Sequence, residues 1–101
     1  WMLVLNQGYM APTISVIEMA TLTEKSRVPV PDGWLGLTMT KNGRQVYVGG
    51  GSQASVYEFN FSPEGKLERA RTFELVPAAE RKHEDFVGDV AFGGNDRLLY
   101  V

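Results

Sequence analysis

Trp34-Leu35-Gly36-Leu37-Thr38-Met39, a polar turn and Val46-Tyr47-Val48 return later in the chain as Phe86-Val87-Gly88-Asp89-Val90-Ala91-Phe92, a turn and Leu99-Tyr100-Val101. Trp34 and Phe86 stand 52 residues apart, whereas Val48 and Val101 stand 53 apart. One residue has therefore been gained within the second copy, and its turn is where a length change is expected, because surface turns tolerate insertion. A strand-rich block that recurs after roughly 40 to 50 residues marks a propeller or a similar array, in which no unit buries both its faces alone. The chain is read as all-β.

Working outward, Lys41-Asn42-Gly43 separates residues 34–40 from 44–48, and its Asn-Gly pair supplies the positive φ angles of a tight hairpin. Gly49-Gly50-Gly51-Ser52-Gln53 leads into residues 54–61, where Tyr57, Phe59 and Phe61 alternate with Val56, Glu58 and Asn60 at period two. Ser62-Pro63-Glu64-Gly65 turns the chain into residues 66–75. Four antiparallel strands are thus expected between 34 and 75. Upstream, residues 2–5, 13–18 and 24–30 read as three more, with Pro29 and Pro31 closing the last. The first strands of the central unit are small or apolar, whereas the fourth carries Glu68, Arg69, Arg71 and Glu74. That gradient places the fourth strand at an edge, where charge discourages pairing with other chains. Residues 76–85 hold Pro77 and the charged run Glu80-Arg81-Lys82-His83-Glu84-Asp85 and read as a polar loop with room for one helical turn.

Composition narrows the function classes. The chain has 101 residues, 44% of them hydrophobic, and a formal charge of −2. Lys and Arg are scattered, without the concentrated basic face that nucleic acid requires, so no nucleic-acid partner is expected. The apolar runs are short and broken by proline, which excludes a membrane-spanning helix within this stretch. With no cysteine there is no disulfide framework and no thiolate metal site. The strand pattern runs from Met2 to Val101. The chain is accordingly read as an excised piece: residues 1–33 form the last three strands of one blade, 34–85 a complete blade with its connecting loop, and 86–101 the first two strands of the next.

Trp34-Leu35-Gly36-Leu37 through Tyr47-Val48, followed by Ser55-Val56-Tyr57-Glu58-Phe59, resembles the YVTN family of β-propeller repeats. The family's Ser-Pro-Asp-Gly-Lys turn is replaced by Thr40-Lys41-Asn42-Gly43-Arg44 and, in the second copy, by residues 92–97; both keep turn-forming residues. Ser15-Val16-Ile17-Glu18 aligns with Ser55-Val56-Tyr57-Glu58 at an offset of 40 and extends the resemblance over nearly the whole chain. What the resemblance implies is a closed ring, commonly seven-bladed, of which this chain supplies about two four-stranded blades, with the remaining blades of the same chain as its partners. It is most similar to propellers joined to an alkaline-phosphatase-like phosphoesterase domain, and such relatives are periplasmic or secreted. A second likeness is to the lactonase-type propeller, which hydrolyses sugar lactones at the central face.

In a propeller of this strand order, the second-to-third turns and the unit-to-unit connections share one face, and loops on a rigid scaffold are where binding usually sits. Asn6, Asp32, Trp34, Gly50, Gln53, His83, Asp85 and Asp89 are the candidate ligand-binding residues of that face. Each has a plainer role. The triple glycine lacks the Lys-Ser/Thr and helix of a phosphate loop and reads as a crowded turn. Lone His83 beside two carboxylates has the ingredients of a general base, yet a single histidine in a charged loop is ordinarily solvated. Asp32 and Asp89 are set either to face a central channel or to bond backbone N–H groups in turns. Trp34, with Phe86 as its counterpart, is set either to stack on a sugar ring or to pack between units. No catalytic, metal or cofactor constellation is expected, and the preferred reading is a non-catalytic scaffold for a small-molecule or protein ligand. The alternative is a share of a lactonase-type ring.

Overall fold

The computed structural model describes all 101 residues and contains nine strands and no helix. β1 (Met2–Asn6), β2 (Thr13–Glu18) and β3 (Thr23–Pro29) form one antiparallel sheet in chain order. β4 (Leu37–Met39), β5 (Gln45–Gly49), β6 (Ser55–Phe61) and β7 (Leu67–Glu74) form the second, and β8 (Ala91–Gly93) with β9 (Leu98–Tyr100) the third. The all-β reading holds, and the strand ranges agree with those read from sequence to within a residue or two, except at the first strand of each repeated block. There Gly36 turns left-handed at φ +76° and withholds Trp34 and Leu35 from the ladder. Residues 76–85 hold turns and no helix, closed by Glu80 N–H to the Pro77 carbonyl and Asp85 N–H to the Lys82 carbonyl.

The three sheets stack face to face. Ile14 and Val16 of the first sheet, with Val30 just after it, meet Val46, Val48, Tyr57 and Phe59 on one face of the second, all buried. On the opposite face Val56 packs with Val87 and Val90, and Tyr47 sets its ring edge-to-face against Phe92 at 5.2 Å between centroids. The middle sheet is therefore covered on both sides. This is why in β6 only Asn60 is exposed, although its sequence alternates like a half-buried strand. Glu58, 4% exposed, is the one carboxylate drawn into this layer, and its Oε2 accepts a hydrogen bond from Arg71 Nε. Burial first, and then that carboxylate, raise the pKa of the neighbouring Tyr47 hydroxyl.

The last strands of the first two sheets differ sharply from those before them. β7 is exposed after Leu67, and β3 is exposed except at Val28. Each carries a bulge: Lys25 is the extra residue opposite Val16 and Ile17, and Ala70 the extra residue opposite Glu58 and Phe59.

The pairing registers relocate the inserted residue. Thr40 N–H bonds the Gln45 carbonyl at 3.0 Å, leaving residues 41–44 as the turn, and Gly93 pairs with Leu98, leaving 94–97. The two turns are equal in length. Met39 pairs with Val46 and Phe92 with Leu99, so both strands of the second hairpin are 53 residues beyond the first. The gain expected in the turn lies instead between Phe86 and the strand that follows it, where Asp89 is the residue without a counterpart. It fits because Gly36 faces it: a Cβ on Gly36 would collide with the Asp89 carboxylate and the Val90 nitrogen.

Phe59 is fully buried between the first two sheets, whereas Phe73 on β7 is 38% exposed. Phe59→Ala is expected to cost about 3–5 kcal/mol, against about 1 kcal/mol for Phe73→Ala. Urea denaturation followed by circular dichroism checks the difference; equal losses would mean that the middle sheet is not the core.

Candidate functional site

The connections at one edge of the stack converge on the turn between β5 and β6, residues 49–53. Gly50 N–H bonds the Ser55 carbonyl at 2.8 Å and Gln53 N–H the Gly50 carbonyl at 3.0 Å, which folds the turn tightly. From the preceding connection, Trp34 N–H donates to the Gly49 carbonyl at 3.2 Å, and Asp32 accepts hydrogen bonds from Ser52 Oγ and from Gln53 Nε2, the latter at 3.1 Å. From the following one, Val87 and Gly51 exchange both backbone hydrogen bonds at 3.0 Å. Three glycines permit three different approaches. A Cβ on Gly49 would lie 3.0 Å from Val87 Cγ1, and one on Gly50 would lie 2.8 Å from the Tyr57 ring. One on Gly51, at φ +54°, would run into the Asp32 carbonyl. Both the side-chain volume and the left-handed conformation explain the glycine there.

Of the eight candidate residues, Asp32, Trp34, Gly50 and Gln53 are brought together at this turn. Asp32 holds two side chains of the neighbouring turn and not backbone N–H groups. The Ser52 hydroxyl chiefly, with the Gln53 amide, holds its carboxyl below the usual aspartate range against a smaller opposing effect of burial. Asp89 does act on backbone, its Oδ1 accepting the Val90 N–H at 2.7 Å. Asp85 accepts the Lys82 N–H at 2.8 Å and closes the turn on which His83 is exposed. His83 thus stands outside the cluster. So does Asn6, whose amide donates to Thr13 Oγ1 and, at 2.7 Å, to Ser15 Oγ on the first sheet. Ser15 Oγ in turn donates to Glu24, itself paired with Arg27.

Gln7, in the turn that the sequence places on this face with Asn6, is a further contributor, and sequence reading passed over two more, Arg81 and Val87. Gln7 Nε2 donates to the Trp34 carbonyl. Arg81 reaches Gln53 Oε1 and the Val76 carbonyl, each at 3.5 Å. Val87 bridges Gly51. Neither Arg81 nor Val87 had a local signal, because each works through a partner more than 20 residues away along the chain or through a long connection folded back on itself.

Trp34 and Phe86 meet edge-to-face with centroids 5.4 Å apart, and both remain about half exposed, at 48% and 49%. Trp34 thus packs against its counterpart Phe86, as the packing reading of the repeat expects. Compared with protein-family models, curated proteins and solved structures, the chain gives no match.

Two outcomes test this arrangement. Gly51→Ala is expected to lose at least about 2 kcal/mol through left-handed strain and the Asp32 contact, whereas Gly88→Ala, whose Cβ would meet nothing nearer than 3.9 Å, changes stability by under about 0.5 kcal/mol; denaturant midpoints decide. For Asp32, a pKa lowered on folding means stability that is present above the ordinary value of 3.8 and is lost as pH falls through the folded-state value. Asp32→Asn is therefore expected to be less stable than the parent at pH 7 and to show a shallower loss on acidification below pH 3.8, read from thermal melts across pH.

Proposed function

We propose that this chain is a segment of a β-propeller of the YVTN-repeat kind, serving as a non-catalytic binding scaffold whose ligand side is the edge that carries residues 31–36, 49–53 and 83–89. The observation that carries the reading is the two-sided cover of the middle sheet by sheets donated in chain order. β4 and β8 approach each other through Gly36 and Asp89, while β7 lies exposed on the far side. Such a wedge, with first strands crowded and fourth strands free, is what radial repetition of four-stranded units requires. The further blades that the resemblance implies would cover the outer faces of the first and third sheets, and a phosphoesterase domain in the same polypeptide belongs to the same proposal.

The scaffold part rests on how three carboxylates of this edge are engaged. Asp32 is tied to Ser52 and Gln53, Asp85 to Lys82, and Asp89 to Val90. These are positioning roles, and they leave the edge rigid, which suits recognition.

Amide chemical-shift mapping against a panel of small molecules and short peptides tests the assignment. Binders are expected to shift residues 31–36, 49–53 and 83–89. Binders that instead cluster on the opposite turns, 41–44 and 94–97, overturn the choice of edge, and turnover of a sugar lactone by the chain overturns the non-catalytic reading.

A further inference from the structure

We propose that the groove between the second and third sheets seats one further strand, paired with the free edge of β9 and carrying large apolar side chains at alternate positions, as β6 does. This deepens the propeller reading and rests on it: the added strand is the third strand of the third blade. β9 pairs with β8 alone, so its other edge presents backbone N–H and carbonyl groups without a strand partner. An apolar groove runs beside that edge. Leu99 and Val101 line it from the third sheet, and Tyr47, Val56, Phe73 and Leu75 from the second. A free edge with an apolar trough next to it suits an extended chain, which main-chain hydrogen bonds hold while every second side chain enters the trough.

The interface between the first two sheets shows what fills the equivalent place. There Val46 and Val48 of β5 share one buried cluster with Val16 and with Tyr57 and Phe59, which come from the strand paired to β5. The repeat sets Val56 where Val16 stands and, 53 residues beyond Val46 and Val48, sets Leu99 and Val101. Leu99 packs against the cluster of Val56, Val87 and Val90, and Val101 lines the groove. The second interface thus repeats the first as far as β9, and nothing in it stands where Tyr57 and Phe59 stand. Phe73 and Leu75 are left 38% and 49% exposed. The pairing of the middle sheet also gives the register. Tyr57 lies opposite Val48 and Phe59 opposite Val46 in an antiparallel ladder, so the two apolar positions of the added strand fall opposite Val101 and Leu99. Tyr100, between those two, belongs to the other face and is 62% exposed.

β6 itself supplies the probe. A synthetic peptide of residues 54–61 with a spin label at its N-terminus is titrated into the 101-residue chain and followed by amide and side-chain resonances. Shifts are expected at residues 98–101 and at Phe73 and Leu75, with the label broadening Val101 more than Leu98, as antiparallel pairing requires. The peptide carrying Tyr57→Ser and Phe59→Ser is expected to bind at least about ten-fold more weakly, because two large apolar side chains no longer enter the groove. On the chain, Leu75→Ser is expected to weaken the peptide about three-fold, and Tyr100→Ser, on the other face, to leave its affinity unchanged. Equal binding of the two peptides, or no binding at β9, overturns the strand seat while the connection edge stands as the ligand side. Shifts confined to β1, whose outer edge is also free, overturn the choice of edge. Broadening strongest at Leu98 marks a parallel strand and overturns the propeller reading together with the assignment of the strand to a blade.

Discussion

Close backbone approach at Gly49 and Gly51 sets how near the flanking connections can come, and at Gly50 how tightly the β5–β6 turn folds. Val87 sits over the first of these residues, the Tyr57 ring over the second and the Asp32 carbonyl over the third. A single methyl group at any of them would push one neighbour away, and each neighbour belongs to a different part of the chain. The two backbone bonds between Gly51 and Val87 then fix where the third sheet begins. Face-to-face packing supplies most of the free energy, yet it is non-directional. Hydrogen bonds at the glycine turn give that packing its register.

The second consequence of the stacking is electrostatic. A strand covered on both faces has no natural place for a carboxylate, and Glu58 is tolerated because Arg71 from the adjacent edge strand reaches over it while its own guanidinium stays largely in water and also lies 5.0 Å from the centre of the Phe73 ring. Arg69 does the same for Tyr57 on the other face, at 5.4 Å. The charged outer strand thus has two uses: it keeps the edge solvated, and it lends cations inward where the core has polar groups.

Strand positions were legible in the sequence because they depend on local pattern: alternation at Tyr57, Phe59 and Phe61, the Asn42-Gly43 turn, and the charge on residues 68–74 all speak within a few residues. The register of the repeat was not. Aligning Trp34 with Phe86 and Val48 with Val101 shows that a residue was gained, but only the pairing of Phe92 with Leu99 tells that it was gained ahead of the strand. In the candidate site, Asp32, Trp34, Gly50 and Gln53 were found because turn-forming and aromatic residues at strand ends carry a local signal. Arg81 and Val87 were not, since their roles exist only once distant connections have been folded together. Asn6 and His83 have the right residue types in the right loops, but their side chains are spent elsewhere or point into solvent.

The bulges at Lys25 and Ala70 bear on how the molecule meets other chains. An incoming strand needs donors and acceptors at even spacing, and an extra residue in mid-strand breaks that spacing and twists the ribbon. With Glu24, Arg27, Glu68 and Arg71 set around the two irregularities, β3 and β7 are poor templates for fibril growth. The irregularity lies in the backbone of these two strands, so substitutions there that preserve the bulge should be tolerated widely, while deletion of either extra residue would open a straight and pairable edge.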